Sequence, residues 1–142
     1  MELLFAAASL FVLPFWLLMI GLPGWQFTRK AMESAWVVTP LLGLYAVLLA
    51  FQLPALERLV TDPTLPGLAQ VLGGEGAALV AWVHFLAFDL FVGRWEFLDG
   101  LERGYHPLMM APVLWATLLV GPLGLLLYLV LRTAVGKLPG SG

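Results

Sequence analysis

The sequence predicts an all-α fold, a bundle of four transmembrane helices, some of them kinked. Apolar residues make up 61% of the 142 residues and charged residues only 11%, whereas a soluble domain carries roughly 25% charged residues. The apolar residues fall into four long runs, each close to the ~20 residues that a helix needs to cross a bilayer. We therefore predict a single integral membrane domain at residues 1–135, followed by a flexible tail at 136–142.

The first two runs, residues 3–22 and 35–53, each contain a proline. Pro14 lies in the middle of the first run and predicts a kink, which a membrane helix tolerates when neighbouring groups satisfy the freed carbonyl. Pro40 lies in the first turn of the second run, where proline is well tolerated. Tyr45 and Gln52 are the polar residues of that run. We expect Tyr45 to form an interhelical hydrogen bond, in preference to a catalytic role.

The last two runs, residues 76–93 and 108–131, complete the predicted bundle. The third run is short, but the charged ends of Arg94 and Glu96 can extend it by reaching the membrane interface. The fourth run is long enough to tilt, and the sequence Gly-Pro-Leu-Gly at 121–124 predicts a bend within it.

Two connecting segments lie between the first three runs. Residues 23–34 form a short polar connection. Residues 54–75 are rich in proline and glycine, which break a continuous helix. This second connection has room only for short interfacial helices at 55–60 and 68–72.

Composition also excludes several classes of function. The chain has no cysteine, which rules out disulfides, thiolate catalysis and cysteine-ligated metal. Its net charge is −2 with no basic run, so we expect no nucleic-acid partner. We predict contact with the lipid bilayer instead.

A charged stretch at 81–103, AWVHFLAFDLFVGRWEFLDGLER, begins as an apolar run and ends among charges. His84 and Asp89 lie within its apolar part. An ionisable side chain inside a membrane helix is costly and marks a functional site by default. Five charged residues follow at once: Arg94, Glu96, Asp99, Glu102 and Arg103.

Helical geometry distributes these residues over two faces. Asp89 and Glu96 are seven residues apart and lie within about 20° of each other. Asp99 and Arg103 form an i,i+4 pair near the same face. His84 lies about 140° from Asp89, so the two can flank one pocket but do not share a face. The side chains on the His84 side are aromatic: Phe88, Phe91 and Trp95.

Four interpretations of this stretch stay open. In a structural one, Asp89 pairs with Arg94 or another basic group, and His84 bonds a backbone carbonyl. In an acid/base one, His84 titrates near neutral pH, and burial keeps part of Asp89 protonated, so the pair exchanges protons with a lipid-like substrate. A metal site of His84 and the acidic residues, Glu96 and Asp99 included, matches no known ligand spacing. A proton or ion path lacks the internal repeat of a transporter.

The stretch at 81–103 also resembles a known family, the ABA-DEFICIENT-4-like family of small four-helix membrane proteins of plant plastids and bacteria. The most specific part is the pattern His84-x4-Asp89 followed by Asp99-Gly-Leu-Glu. Further segments that resemble the family are ELLFAAASLFVLPFWLLMI at 2–20, RKAMES at 29–34 and GPLGLL at 121–126.

The resemblance implies a role in xanthophyll metabolism, as the isomerase that converts violaxanthin to neoxanthin. This reaction opens an epoxide and forms an allene, which requires an acid at the epoxide oxygen and a base at a neighbouring vinylic C–H. We expect Asp89 or Glu96 to be the acid and His84 the base, with exchangeable roles. Structural or substrate-positioning roles are expected for Arg94, Trp95, Phe88, Asp99 and Arg103.

The resemblance further implies a carotenoid, or another long apolar molecule, as the ligand, with no cofactor and no metal. Because the first run starts at Leu3, with no transit peptide in front of it, we expect a bacterial inner or photosynthetic membrane rather than a plastid membrane. The alternative function is a non-catalytic pigment-binding or assembly subunit that packs against other membrane subunits. A subunit of that kind tolerates Asp89→Asn or fails to assemble, whereas an enzyme loses turnover.

Overall fold

A computed structural model describes residues 1–135, apart from the side chain of Arg58. This part of the chain is all-helical, with no strand, which confirms the predicted class. Its helices are α1 (Glu2–Gly21), α2 (Gln26–Glu33), a 3-10 helix (Ala35–Val37), α3 (Thr39–Ala50), α4 (Leu53–Thr61), α5 (Leu65–Leu72), α6 (Glu75–Glu102) and α7 (Pro107–Val135). The predicted tail at 136–142 lies outside the described residues.

Three helices, α1, α6 and α7, are long and apolar enough to cross a membrane. They correspond to the predicted runs 3–22, 76–93 and 108–131, but α6 and α7 are longer than predicted. The observed α6 continues through the charged residues because no proline or glycine pair interrupts it before Gly104, where φ is +69°.

The predicted second span, 35–53, is not one continuous helix. It begins as the 3-10 helix, and α3 has only 12 residues, about 18 Å at 1.5 Å per residue, which is short of the ~30 Å hydrocarbon core. Pro54 cannot donate a hydrogen bond to extend α3, and α4 starts beside it at a 76° bend. Residues 1–135 therefore contain three candidate spans, or four if α3 and α4 form one broken span.

Helix α6 lies at the centre and packs against α1, α2, α3, α5 and α7. Close approach to α1 depends on Gly93, where a Cβ atom would lie only 2.3 Å from the ring of Trp16. The largest fully buried side chains come from these packed helices: Met19, Met32, Leu90, Glu96, Leu114 and Tyr128. The core therefore surrounds α6, because the other helices pack against its different faces.

The connections contain more helix than the polar composition suggests. The sequence predicted a short polar connection at 23–34 and no helix within it. Helix α2 forms there because Thr28 and Met32, four residues apart, bury one face. The Thr28 hydroxyl also donates to the carbonyl of Leu22 at 2.8 Å. The short helices predicted at 55–60 and 68–72 are present as α4 and α5.

Helix α7 is broken near its middle, as the glycine and proline at 121–124 predicted. The break lies at Val120, which has non-helical angles (φ −146°, ψ 67°). It brings the two halves of α7 into contact, since a Cβ atom on Gly124 would lie 2.2 Å from the backbone nitrogen of Thr117. A glycine is required at 124 because no side chain fits between the halves.

Candidate functional site

A groove of about 240 Å³ opens between α6 and the layer formed by α3, α4 and α5. Most of its lining is aliphatic or aromatic. Among the described side chains, three polar ones interrupt that lining: Tyr45 from α3, Gln52 from the α3–α4 turn and His84 from α6. The apolar walls are formed by Leu49, Ala55, Leu56, Leu59, Val71, Leu72, Ala77, Val80, Ala81 and Phe85.

Aromatic contacts hold His84 in this groove. Its ring stacks on Phe88, one helical turn further along α6, with 4.5 Å between ring centroids. The ring of Tyr45 approaches from α3, with its centroid 5.6 Å from that of His84. The imidazole is therefore oriented by ring packing on both sides.

The three polar side chains of the groove have no hydrogen-bond partner within the part of the chain that the structure describes. Gln52 rests against Gly76, where a Cβ atom would lie 2.5 Å from the amide nitrogen of Gln52. Tyr45, Gln52 and His84 are each half-buried. Their donors and acceptors are thus available to a molecule that enters the groove.

The opposite side of α6 packs against α7 through its acidic residues, a contact that we call the acidic seam (Asp89, Glu96 and Asp99 against α7). Glu96 is fully buried and accepts a hydrogen bond from the Thr117 hydroxyl at 2.7 Å. Its second oxygen, Oε1, has no partner among the described residues. Asp89 lies against the break in α7, since a Cβ atom on Gly121 would lie 1.9 Å from its Oδ1.

The seam ends in a network of charges around Asp99. The carboxylate accepts hydrogen bonds from the Tyr128 hydroxyl, from Nε of Arg103 at 2.6 Å and from Nε of Arg132 at 3.0 Å. The hydrogen bond to Asp99 raises the pKa of the Arg103 guanidinium above its usual range. Trp95 borders the network, with its ring centroid 5.2 Å from that of Tyr128.

The structure thus divides the predicted site residues between the two sides of α6. His84 and Phe88 line or border the groove, whereas Asp89, Glu96, Asp99, Arg103 and Trp95 belong to the seam. The i,i+4 pair of Asp99 and Arg103 is confirmed as an ion pair. Neither Asp89 nor Glu96 is part of the groove lining. Asp89 nevertheless lies close enough to His84 to interact with it electrostatically.

Three details of the sequence prediction are wrong. Arg94 does not pair with Asp89, because its guanidinium donates to the carbonyl of Glu33 at 3.0 Å and ties α2 to α6. Glu96 does not reach an interface, because it is fully buried. Trp95 does not surround His84, because it packs on Tyr128 at the seam.

The groove gives Tyr45 a different environment from the one that the sequence favoured. Tyr45 was expected to form an interhelical hydrogen bond, but no such bond occurs within residues 1–135. The available signal was a tyrosine in an otherwise apolar run.

The metal interpretation finds no support, because among residues 1–135 no three His, Asp or Glu side chains converge on one point.

A comparison with known families decides what the chain is related to. The family model described as ABA DEFICIENT 4-like matches residues 3–128. The chain belongs to the ABA DEFICIENT 4-like family. The match covers α1 to α6 and most of α7, so both the groove and the acidic seam lie within the family domain.

One curated relative of this ABA DEFICIENT 4-like chain is the chloroplastic protein ABA DEFICIENT 4 of Arabidopsis thaliana, 32% identical over 105 residues. The alignment covers 70% of this chain and 48% of the relative, so the chain spans about half the length of that protein. No solved structure gives a significant match. Because the relative is chloroplastic, the comparison does not support the expected preference for a bacterial membrane.

Proposed function

We propose that this ABA DEFICIENT 4-like chain is an integral membrane protein of xanthophyll metabolism that isomerises an epoxy-carotenoid. In this proposal, α1, α6 and α7 span the membrane and α3 with α4 forms a broken fourth span. The kinked four-helix bundle predicted from the sequence takes this form. The resemblance to plant proteins of neoxanthin synthesis supports the class of substrate.

The observation that carries the proposal is the set of unpaired polar side chains in the apolar groove. An unsatisfied polar group away from water costs several kcal/mol in an apolar environment, on the order of 2–7 kcal/mol before compensation. Three half-buried polar side chains without a hydrogen-bond partner among the described residues line this groove: Tyr45, Gln52 and His84. A mostly apolar ligand with a few oxygen atoms satisfies them and fills the remaining lining.

The size of the groove indicates how much of a carotenoid it holds. At about 240 Å³ it lies below the ~300–1,000 Å³ of pockets for drug-sized ligands. A carotenoid is longer and larger than such ligands. We therefore place one oxygenated end ring in the groove and the polyene chain along the lipid-facing surface, where Phe85 and Phe88 are exposed.

His84 is the base of the proposed reaction. Its ring is fixed by Phe88 and its nitrogen atoms are free of protein partners in the described residues. Removal of a vinylic proton makes it an imidazolium, which the nearby Asp89 carboxylate stabilises through charge. Glu96 and the Asp99 network hold α7 against α6, and Arg94 holds α2, so these residues act through the fold.

Pigment analysis tests the proposal. The wild-type chain is expressed in a host that supplies epoxy-carotenoids, and extracts are compared by chromatography and mass spectrometry. We expect a new product of unchanged mass, reduced at least about 100-fold by His84→Ala. His106→Ala is the matched control, because His106 is exposed and lies outside the groove.

A non-catalytic pigment-binding subunit is the second candidate. It is favoured by one observation: both carboxyl groups expected to act as the acid, those of Asp89 and Glu96, lie outside the groove lining. In that case no product forms, and a carotenoid co-purifies with the wild type and His84→Ala alike. Such a result overturns the isomerase proposal.

A further inference from the structure

We propose that Tyr45 is the catalytic acid of this isomerisation, an inference that rests on the proposed function. The reaction needs a proton donor at the epoxide oxygen while His84 removes the vinylic proton. Both groups must reach one end ring from the same cavity. Tyr45 and His84 are the two titratable side chains that line the groove among the described residues.

The position of Tyr45 suits this role. It reaches the groove from α3, whereas His84 reaches it from α6, and their ring centroids lie 5.6 Å apart. An end ring that lies beside both side chains is therefore within reach of the phenol and the imidazole at the same time. The Tyr45 hydroxyl has no partner among residues 1–135, so its proton is free to point at a ligand oxygen.

The carboxylic acids are less suited to the role because the seam already engages them. Glu96 is enclosed with Thr117, and Asp99 accepts hydrogen bonds from three residues, Tyr128, Arg103 and Arg132. Asp89 packs on the α7 backbone at Gly121. Gln52 lines the groove but carries no acidic proton, and it is suited to bind a ring hydroxyl.

The proposed step balances without an oxidant or a cofactor. The His84 imidazole takes the vinylic proton, and the electrons of that C–H bond form a new C=C bond that makes the allene. The epoxide C–O bond at the adjacent carbon breaks as this new C=C bond forms. The oxygen takes the phenolic proton of Tyr45 and becomes a tertiary alcohol. The imidazolium then returns its proton to the phenolate, which restores both residues.

Tyr45→Phe tests this assignment, because it removes the hydroxyl and keeps the ring against His84. Product formation is measured together with the amount of carotenoid that co-purifies. We expect turnover to fall about 100-fold or more while the bound pigment stays within a few-fold of wild type. Tyr105→Phe, which removes a hydroxyl outside the groove, serves as the matched control.

The outcomes separate this inference from the proposed function. If the wild type turns over and Tyr45→Phe retains its rate within a few-fold, Tyr45 is not the acid, although the isomerase proposal stands. If the wild type makes no product, the isomerase proposal fails first.

Should Tyr45→Phe not fold, a fluorinated tyrosine at position 45 keeps the ring and hydroxyl but lowers the phenol pKa. The pH above which turnover is lost should then be lower in this variant than in the wild type. An unchanged dependence of the turnover rate on pH would overturn the assignment.

Discussion

The two sides of helix α6 differ in how their polar side chains are satisfied. On the side of α7, Asp99 is bound by Tyr128, Arg103 and Arg132, and one of the two carboxylate oxygens of Glu96 is bound by Thr117. On the side of α3, His84 makes ring contacts with Tyr45, Phe85 and Phe88, and it has no hydrogen bond among the described residues. Polar groups that are paired within a bundle hold helices together, whereas unpaired groups beside a cavity await a ligand. The seam should therefore govern stability and the groove should govern turnover.

The largest loss of stability is expected from Gly124→Ala. A Cβ atom there would meet the backbone of Thr117 at 2.2 Å, so the two halves of α7 must separate. We expect the free energy of unfolding to fall by about 3 kcal/mol or more, at the upper end of overpacking effects. Unfolding in mixed detergent micelles, followed by circular dichroism, measures it.

Gly43→Ala is the control for that variant, because nothing lies within 4 Å of a Cβ atom at Gly43 in α3. Alanine is the better helix former by about 0.8–1.0 kcal/mol, so this variant should be unchanged or slightly more stable. Equal losses in both glycine variants would mean that the break in α7 is not tightly packed.

Asp99→Asn should have the second largest effect. It removes the charge that Arg103 and Arg132 share, at a carboxylate whose side chain is only 15% exposed. We expect a loss of about 2 kcal/mol, typical of hydrogen bonds to a charged group. Glu33→Gln, at the exposed pair with Arg29, should cost under about 0.5 kcal/mol. An equal cost at both sites in the same unfolding assay would contradict a stabilising network.

Thr117→Val sharpens the comparison within the seam. Valine keeps the volume but leaves Oε2 of Glu96 without its donor in a fully buried position. A loss of about 1 kcal/mol is expected from an unsatisfied buried acceptor. Thr133→Val is the control, because Thr133 is exposed and bonds only carbonyls of its own helix. A stability that is the same for both variants argues against a role of Thr117 in joining the helices.

The smallest effect on stability is expected from His84→Phe in the groove. The imidazole has no hydrogen bond to lose among the described residues, and phenylalanine preserves the stacking on Phe88. We expect the free energy of unfolding to stay within about 0.5 kcal/mol of wild type or to rise, while turnover disappears. A marked loss of stability would place His84 with the structural residues.

The acidic seam was largely predictable from the sequence, whereas the groove was not. A seven-residue spacing places Asp89 and Glu96 on one helical face whatever the fold, and a glycine and a proline at 121 and 122 predict a break. Which residues face His84 depends on how α3 and α4 pack on α6. That packing follows from the bend before Pro54, which turns the predicted second span into two short helices.

Errors in the charged stretch have a similar cause. One interpretation paired Asp89 with Arg94 or another basic group, but the Arg94 guanidinium donates to the carbonyl of Glu33 at the end of α2. Helix α2 itself was missed because a single pair, Thr28 and Met32, supplies its buried face. Contacts between elements distant in sequence decide these positions, and no pattern within one element records them.

The break in α7 has an electrostatic consequence for Asp89. Beyond Val120, a second half-helix begins at Gly121, and the N-terminus of a helix carries a partial positive charge of roughly half a unit. The carboxylate of Asp89 rests at that end. The backbone therefore adds a favourable potential for this acidic residue to the one that His84 supplies. The kink allows α6 to carry a carboxylate next to His84 without placing a competing cation beside it.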